Sequence, residues 1–536
     1  MLQMTRAESP SNGDVYMIHA SMVFLILFFT FSSQQMIGAE AREVQAFREV
    51  IKTNDVAVYS QTALALRRWM MAHDLHYPTY HFTGPESWIN DPNGPIFYKG
   101  RYHLFYQYDP IVDGRRSLRC WGHAVSTDLV HWVDWPVALW PDMRGDMRGV
   151  WSGNTFVDDR GALCALYTGN AAAEHKETYG VLARTSDGGL TWQKKVVMED
   201  AKRPNADSPV HWDGFTWKEG NTWCQLIGGT SGGSNKQGVA WMWNSPDLEH
   251  WTLRKNIAPT IKYSWFWELP YLINLGDRQV LFVGASNPYW VGSYDKASMI
   301  FKTDNATPCQ IDTGRYYSFN LNMTDRKGQD GRVRQIMHGW VTCPPTPTKT
   351  VPYWEGAHSI PRVLSLKGDR VWQEPIPELQ ALRTQHQSAS DFEKAVELLK
   401  NIKSDAAEIL ATFQPDKIGR FGLRVRVAKD GASSTEVAFD SANRAFSVQG
   451  RDTEKTPGYQ KGFGFRTDSA LASGLPVTLH VFVDRSIIEV YVNGMAGTAL
   501  VYAPADAIGL ELFTEPGAGK LTAFDIWQMQ SMWGQN

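Results

Sequence analysis

Short runs of aromatic and β-branched residues, broken by Gly, Asn, Asp and Pro, dominate the chain from about residue 79 onward. Runs of this length with such punctuation are typical of β-strands joined by tight turns. Residues 96–98 and 102–106 flank Lys99-Gly100 and predict a β-hairpin. The hydrophobic pattern therefore predicts β-structure from this point onward.

A Ser-Asp-Trp motif recurs three times in this region. Its copies occupy residues 126–132, 186–192 and 245–251 and begin 60 and 59 residues apart. A period of that length, filled with short strands, is typical of a four-stranded propeller blade. Residues 79–375 hold about five such units, which predicts a five-bladed β-propeller.

The segments on either side of this region have different patterns. Residues 42–78 are rich in helix formers and predict a helical N-terminal extension. Residues 376–395 predict a linker that becomes helical. Residues 396–536 return to alternation and include Asn493-Gly494, a candidate hairpin turn. The predicted fold is all-β, a five-bladed β-propeller followed by a C-terminal β-sandwich.

An apolar run near the N-terminus predicts export. Residues 21–33 are short for a membrane span and suit the hydrophobic core of a signal peptide. Small residues at 39–41 offer a cleavage site, so residues 1–41 are predicted to be a signal peptide. Arg6 is the only Lys or Arg before the run, and an uncleaved anchor is the alternative. We expect a secreted or periplasmic protein with no membrane association beyond segment 21–41.

Composition and charge narrow the classes of function. The chain has 536 residues, with 53 Lys and Arg against 56 Asp and Glu and a formal net charge of −3. This near-balance argues against nucleic acid or an anionic membrane as a partner. The five cysteines include no Cys-x-x-Cys pair, which argues against a zinc site. The 22 Trp residues are many, and amphipathic aromatic rings suit the faces of sugars.

Three acidic residues are candidates for catalysis. Asp91 lies in Asn-Asp-Pro-Asn-Gly at 90–94, which predicts a rigid turn. Glu268 stands between aromatic residues and Leu-Pro, an apolar setting that raises a pKa and suits a general acid. Asp213, if unprotonated, could hold sugar hydroxyls. The structural alternatives are ordinary Asp turns and, for Glu268, an ion pair with an Arg.

These acids fit a single chemistry. Splitting a glycosidic bond requires two carboxyl groups, one ionised and one protonated. In a propeller, equivalent strands of different blades line one central funnel, so residues distant in sequence can converge there. We therefore expect Asp91, Asp213 and Glu268 to face one axis.

The ordered motifs of residues 80–536 resemble glycoside hydrolase family 32, which contains invertases, exo-inulinases, levanases and related fructosyltransferases. The segment at 90–94 is similar to the family's nucleophile motif, and Glu268-Leu269-Pro270 stands where the family has Glu-Cys-Pro. The other matching segments are 105–110, 121–126, 151–153, 166–169, 359–362 and 483–486.

The resemblance implies a retaining hydrolase that releases terminal β-D-fructofuranosyl units from sucrose or from fructans such as inulin and levan. Asp91 would be the nucleophile, Glu268 the acid and base, and Asp213 the stabiliser of the transition state. No metal and no cofactor would be needed. The residues implied to line the fructose subsite are Asn90, Gln107, Trp121, Trp151, Ser152 and Trp340.

Two departures from the family pattern bear on the site. Trp212-Asp213-Gly214 stands where the family has Arg-Asp-Pro, so a charged donor is missing. His211 or another Arg could substitute for it, or the site could bind a different sugar pattern. Leu269 replaces a Cys beside Glu268.

Several alternatives remain open at this level. A fructosyltransferase would use the same site with a sugar as acceptor, and a related propeller hydrolase would act on arabinosides. A non-catalytic carbohydrate-binding protein would need neither acid. The sequence leaves the fructan linkage and the oligomeric state undetermined.

Overall fold

The computed structural model of the chain describes residues 42–173, 176–325, 333–344, 354–451, 464–466 and 474–534. The predicted signal peptide, residues 1–41, lies outside the described residues. Most of the described residues belong to β-strands, which confirms the all-β class. Within these ranges, no helix is long and apolar enough to cross a membrane.

Two helices precede the β-structure. They span residues 42–50 (α1) and Val56–His73 (α2). Asp55 caps α2, because its carboxylate accepts hydrogen bonds from two backbone N–H groups of the first turn. On the buried face of α2, Arg67 forms an ion pair with Asp134, with 2.7 Å between Nε and Oδ2. Breaking a buried pair leaves an uncompensated charge, so this contact fixes α2 against the first sheet.

Five sheets, each with four main antiparallel strands, follow one another along the chain and are numbered in that order. The first sheet contains Ser87–Pro92, Ile96–Tyr98, Arg101–Asp109, Cys120–Ser126 and Trp132–Leu139, with Trp354–Glu355 added in parallel. The second contains Gly149–Val157, Leu163–Asn170, Thr178–Thr185 and Gln193–Met198. The third contains Phe215–Glu219, Thr222–Thr230, Gly238–Ser245 and Thr252–Asn256.

The fourth sheet contains Pro270–Leu275, Arg278–Val283, Pro288–Asp295, Ile300–Thr303 and Cys309–Gln310. The fifth contains Tyr316–Asp325, Arg334–Val341, Ala357–His358, Arg362–Lys367 and Arg370–Pro375. A small separate hairpin consists of Ile111–Val112 and Arg115–Arg116, and Asp200–Lys202 is a single 3-10 turn.

The Ser-Asp-Trp repeat forms the same turn in the first three sheets, between the third and fourth main strands. In the first sheet, the Asp128 carboxylate accepts hydrogen bonds from backbone N–H groups, and the Trp132 indole donates to the Leu129 carbonyl at 3.0 Å. The indoles of Trp192 and Trp251 make the equivalent bonds. The repeat is therefore structural, because its Asp and Trp fix the turn before each outer strand.

Two amide side chains, one buried and one half-buried, join the first strands of three sheets and the segment after the first strand of the first sheet. Asn154 Nδ2 in the second sheet donates to the carbonyl of Thr216 in the third and to Oδ1 of Asn322 in the fifth, both at 3.0 Å. Asn322 Nδ2 donates to the carbonyl of Pro95, which follows the first strand of the first sheet. Buried polar groups that satisfy one another specify a unique arrangement, so these amides hold the first strands together.

The C-terminal part contains two further sheets. The seven-stranded sheet has the spatial order Asp312–Gly314, Met495–Leu500, Ile487–Val492, Val477–Asp484, Ala406–Pro415, Gly519–Met529 and Arg383–Ala389. The five-stranded sheet has the order Gly464–Arg466, Ala445–Arg451, Ser434–Asp440, Arg420–Val427 and Gly509–Thr514. Asn493-Gly494 forms the predicted turn, with both residues at positive φ.

The two sheets share one apolar core. Ile409 and Val481 from the seven-stranded sheet and Leu423 and Phe439 from the five-stranded sheet are fully buried in the same cluster. Each such side chain contributes about 1.5–3 kcal/mol by leaving water. Helix α3, Phe392–Lys400, packs on this core through Ala395 and Leu399.

The segment predicted as a linker, residues 376–395, is structured along much of its length. Pro377–Leu382 forms a 3-10 helix, and Arg383–Ala389 pairs with Gly519–Met529 as an edge strand. The edge strand is largely exposed, so its polar sequence carries no hydrophobic alternation. Backbone hydrogen bonds to a neighbour distant in sequence, rather than side-chain burial, make it a strand.

A buried charged cluster connects the chain before the first sheet to the seven-stranded sheet. His81 Nδ1 lies 2.9 Å from Asp484 Oδ2, and its Nε2 lies 3.2 Å from Glu489 Oε1. Arg362 of the fifth sheet pairs with Glu489 at 2.9 Å and with Asp312 at 2.8 Å. Every member is buried, so the cluster aligns the two parts of the molecule through paired charges.

Candidate active site

Asp91 projects from a bulge in the first strand of the first sheet. The pairing with Arg101–Asp109 shifts register between Ile89 and Pro92, so that Asn90 and Asp91 together face one residue of the partner strand. The sequence predicted a turn here, whereas the structure has a bulged strand. Pro92 has no N–H to donate and is tolerated at a bulge, which re-aims the neighbouring side chain.

A short hydrogen-bond chain holds the Asp91 carboxylate. Ser152 Oγ donates to Asp91 Oδ2 at 2.6 Å, and Gln107 Nε2 donates to Ser152 Oγ at 2.5 Å. Asn93, with its amide oriented to match donors to acceptors, donates to Ser152 Oγ and accepts from the backbone N–H of Gln107. Burial raises the pKa of Asp91, and the hydroxyl of Ser152 opposes that rise by bonding to the charged form.

Glu268 stands immediately before the first strand of the fourth sheet. Its carbonyl accepts a hydrogen bond from Gly284 N at 3.0 Å, and Leu269 takes a positive φ of 48° that turns the chain into the strand. Burial and, second, the charge of Asp91 raise the pKa of Glu268 to about 7, against the opposing effect of the Trp212 indole. A carboxyl group with that pKa is protonated often enough near neutrality to act as a general acid.

Asp213 precedes the first strand of the third sheet and is buried. Its φ of 51° is tolerated by Asp, and its backbone N–H donates to Thr168 Oγ1 at 2.8 Å. Burial, followed by the charges of Glu268 and Asp91, raises the pKa of Asp213 well above its usual range. This direction runs against the prediction of an unprotonated Asp213, because three neighbouring carboxylates repel one another.

Trp212 stands where the family has an Arg, and His211 does not supply the missing positive charge. That imidazole is buried between Thr168 and Gln225, and burial lowers its pKa to about 3, so it stays neutral. Among the described residues, Arg119 is a cation whose charge acts on two of the carboxyl groups. Its guanidinium lies 4.5 Å from the ring of Trp88 and 4.9 Å from that of Trp151, and its positive charge lowers the pKa of both Asp91 and Asp213 against the effect of burial.

The remaining predicted residues surround Asp91 at different depths. Trp151 and Trp340 are half-buried. Trp121 is fully buried, and its indole donates to the Trp151 carbonyl at 2.9 Å, so it supports Trp151 from beneath. The Asn90 carbonyl accepts from His358, whereas its Oδ1 is buried without a hydrogen-bond partner in the described structure.

Further buried polar atoms near the carboxyl groups lack partners among the described residues. They include the Trp340 indole nitrogen and the Tyr271 hydroxyl. The charges of Asp91 and Asp213 contribute to a raised pKa of Tyr271, after burial, so this hydroxyl lies close to them. An unpartnered buried polar group is costly, and a ligand rich in hydroxyls would satisfy several at once.

Sequence reasoning missed Arg119, Tyr271 and Tyr317. Arg119 stands two residues before Trp121, and Tyr271 follows Glu268-Leu269-Pro270, so proximity to a motif was the available signal. Tyr317 carries no such signal. It reaches the site because the first strand of the fifth sheet begins beside the carboxyl groups, whose charges, after burial, raise the pKa of Tyr317 to about 12.

A cleft of about 530 Å³ opens beside Glu268 and includes Trp212, Phe266 and Tyr317 in its lining. A larger hollow of about 1160 Å³ lies near Gly220 and Gly276, at the opposite ends of the same first strands, and contains none of the three carboxyl groups. Of these two cavities, the smaller cleft is the one that includes a candidate catalytic residue, Glu268.

The arrangement can support acid-assisted displacement at carbon. Asp91 accepts a hydrogen bond from a hydroxyl group, Glu268 has a pKa near neutrality, and Asp213 lies beside both. Among the described residues, no group of three or more His, Cys, Asp or Glu side chains is arranged to hold a metal ion. The lack of a cofactor stays a prediction.

Comparisons with known proteins identify the family of the chain. Residues 81–375 match the glycosyl hydrolases family 32 N-terminal domain, and residues 378–528 match the family's C-terminal domain. A sucrose-6-phosphate hydrolase of Zymomonas mobilis is 27% identical over 91% of this chain and 98% of that protein. A levanase of Bacillus subtilis is 29% identical over 85% of this chain and 71% of that protein. The crystal structure of fructan 1-exohydrolase IIa from Cichorium intybus superposes with a TM-score of 0.71 at 22% identity, covering 85% of this chain and 98% of that one.

Proposed function

The chain belongs to glycosyl hydrolase family 32, and from this premise we propose that it is a retaining β-fructosidase that releases terminal β-D-fructofuranosyl units from sucrose or fructans. The observation that carries the proposal is the difference between two carboxyl groups. The Asp91 carboxylate accepts a hydrogen bond from Ser152, whereas the pKa of Glu268 is raised to about 7 by burial and by the charge of Asp91.

In the first step, Asp91 attacks the anomeric carbon of fructose while Glu268 donates its proton to the glycosidic oxygen. The bond between that carbon and oxygen breaks, the leaving group departs with the proton, and a covalent fructosyl-enzyme forms. Ser152 donates to Oδ2 of Asp91 and favours the ionised form that attacks.

In the second step, Glu268, now ionised, takes a proton from water, and the resulting hydroxide attacks the same carbon and displaces Asp91. Two inversions give net retention. Asp213 holds fructose hydroxyls by hydrogen bonds, and burial and the charges of Glu268 and Asp91 raise its pKa. Asn90, Gln107, Trp151 and Trp340 complete the fructose subsite, with Trp121 supporting it from below.

We further propose that the five sheets are the blades of a propeller, spanning about residues 79–375, with the two C-terminal sheets as a β-sandwich. The amides of Asn154 and Asn322, which join the first strands of three sheets and contact the first sheet at Pro95, support this arrangement. A propeller explains why the three carboxyl groups meet, since first strands of different blades face one axis.

Hydrolysis is favoured over transfer of fructose to a sugar and over a non-catalytic carbohydrate-binding role. The two relatives described above are named as hydrolases, which supports water rather than a sugar as acceptor. A non-catalytic carbohydrate-binding protein has no use for a carboxyl group whose pKa is raised to about 7 by burial beside a second acid.

Export remains part of the proposal, on the basis of the apolar segment at 21–33 and the small residues at 39–41. Sequencing of the N-terminus of the protein recovered outside the cell would test it. A mature terminus near residue 42 supports a signal peptide, and an intact segment supports the anchor.

Fructose release from sucrose, inulin and levan by the purified chain tests the proposed activity. The matched control is Asp91→Asn, which keeps the shape of the nucleophile and removes its charge. We expect release by the parent protein and a loss of at least about a thousandfold in the variant. A folded parent protein that releases no fructose from any of the three would overturn the proposal.

A further inference from the structure

Four aromatic side chains form a continuous wall from the fructose subsite to the solvent. Trp151 contacts Trp212, Trp212 contacts Phe266, and Phe266 contacts Trp265, with ring centroids 5.5, 5.6 and 5.4 Å apart. Trp151 is adjacent in sequence to Ser152 at the inner end. At the outer end, Trp265 is 64% exposed, more than any other large hydrophobic residue described. These four residues are called the aromatic wall below.

Glu268 determines which side of the scissile bond the wall serves. A general acid must reach the glycosidic oxygen, so the space beside it receives the leaving group. Glu268 lines the cleft of about 530 Å³ together with Trp212, Phe266 and Trp265. Ligand cavities of about 300–1,000 Å³ hold drug-sized molecules, so this cleft has room for more than one monosaccharide.

The charges in the cleft are already neutralised. Arg203, the only cation among the described lining residues, pairs with Asp200 at 2.6 Å. Asp207, the acidic lining residue other than Glu268, pairs with Lys236 at 2.9 Å. A phosphate on the leaving group would find no uncompensated partner, whereas the C–H faces of neutral sugars pack on aromatic rings.

We propose that the aromatic wall binds the leaving group of an uncharged fructan longer than sucrose, with the second and later sugar units stacked toward Trp265. This inference rests on the proposed function and narrows its substrate class. It also accounts for Trp212 in place of the family's Arg, because an indole at this position joins Trp151 to Phe266 and makes the wall continuous.

The test compares kcat/KM for sucrose and for inulin in Trp265→Ala, Trp265→Phe and the parent protein. We expect Trp265→Ala to lower kcat/KM about tenfold on inulin and less than about twofold on sucrose, since on this proposal the single leaving unit of sucrose binds at the inner part of the wall and does not need Trp265. Trp265→Phe keeps an aromatic face and should retain most of the inulin activity. Phe97→Ala removes another exposed aromatic ring, in the hairpin of the first sheet, and should change neither substrate.

Equal effects of Trp265→Ala on both substrates, or none on inulin, would overturn the role of the wall. A preference of tenfold or more for sucrose 6-phosphate over sucrose in the parent protein would overturn the uncharged substrate class.

The experiment distinguishes a protein without the proposed activity from one whose aromatic wall does not bind the leaving group. If the parent protein releases no fructose, the proposed function fails, and binding then tests the wall alone. Calorimetry of Asp91→Asn with inulin-type oligosaccharides, with and without Trp265→Ala, measures this directly. A Kd raised about tenfold by the second substitution supports the wall, and an unchanged Kd overturns it.

Discussion

Ser152 Oγ donates a hydrogen bond of 2.6 Å to Asp91 Oδ2 across 61 residues of sequence. The two side chains come from the first strands of adjacent sheets, and Gln107 fixes the serine from its other side at 2.5 Å. A hydrogen bond to the charged form favours ionisation, so this contact keeps the nucleophile active at lower pH than burial alone would allow.

Replacing Ser152 with Ala should therefore lower kcat about 10- to 100-fold, since a hydrogen bond to a charged group contributes about 1.5–3 kcal/mol. The pKa of Asp91 should rise, so that activity is lost at a higher pH on the acidic side of the profile. The measurement is the pH dependence of kcat on sucrose. Ser441→Ala removes a buried hydroxyl that donates to the Ala518 carbonyl in the C-terminal part and is the control; a shift of equal size in both variants would refute the specific role of Ser152.

Glu268→Gln should remove the proton donor and leave the shape of the site unchanged. Turnover of sucrose should fall about 100- to 10,000-fold, whereas an aryl fructofuranoside with an activated leaving group needs no protonation and should lose far less in its first step. In the parent protein, activity should fall as pH rises through about 7, where Glu268 loses its proton. This limb should vanish in the variant.

Burst kinetics and a pH profile measure both effects, and Glu249→Gln, a surface glutamate paired with Lys195, is the control. Equal losses on the two substrates would count against Glu268 as the acid.

Arg119→Gln should move the acidic limb of the pH profile to higher pH. Burial raises the pKa of Asp91, and the positive charge of Arg119 opposes that rise, so its removal lets the pKa climb further. Arg119→Lys keeps the charge and should restore much of the profile, although the contacts with Trp88 and Trp151 depend on a planar cation.

Arg116→Gln is a matched control for this prediction, because Arg116 also contacts Trp88 and pairs with Asp109 at 2.9 Å. The charge of Arg116 is not among the causes that shift the pKa of Asp91. The role of Arg119 would be refuted if the two glutamine variants had the same pH profile.

The free energy of unfolding should fall at alkaline pH, because His81 loses its proton there. Burial lowers the pKa of this imidazole, but its hydrogen bonds to Asp484 and Glu489 outweigh burial and raise it to about 9. A folded-state pKa above the unfolded value of about 6.5 gives stability that is fully present below pH 6.5 and is lost as pH rises through about 9. The loss should be about 3 kcal/mol.

Urea unfolding from pH 6 to pH 10 measures this slope. His81→Gln should be less stable at pH 6 and should show a flatter dependence over the same range. His131→Gln alters a surface pair with Asp128 and should leave the slope unchanged. A parent protein with no loss of stability between pH 7 and pH 10 would contradict the prediction.

Several local features were predictable because their signals are contained in a few adjacent residues. Lys99-Gly100 and Asn493-Gly494 form the expected hairpin turns, since both residues of each pair adopt positive φ. The Ser-Asp-Trp repeat marks equivalent turns because Asp and Trp bond to the backbone within the same segment. Arg383–Ala389 escaped prediction, because its partner Gly519–Met529 is remote in sequence.

The sequence by itself determined the strand-rich character, the family motifs and the identity of Asp91 and Glu268 as candidate acids. These signals depend on residues that are close together along the chain. Only the tertiary structure decided the rest. The raised pKa values of Glu268 and Asp213 and the effect of Arg119 on Asp91 depend on burial and on charges from distant parts of the chain. The aromatic wall likewise exists only where three separate segments meet, since ring contacts are set by distance in space rather than along the chain.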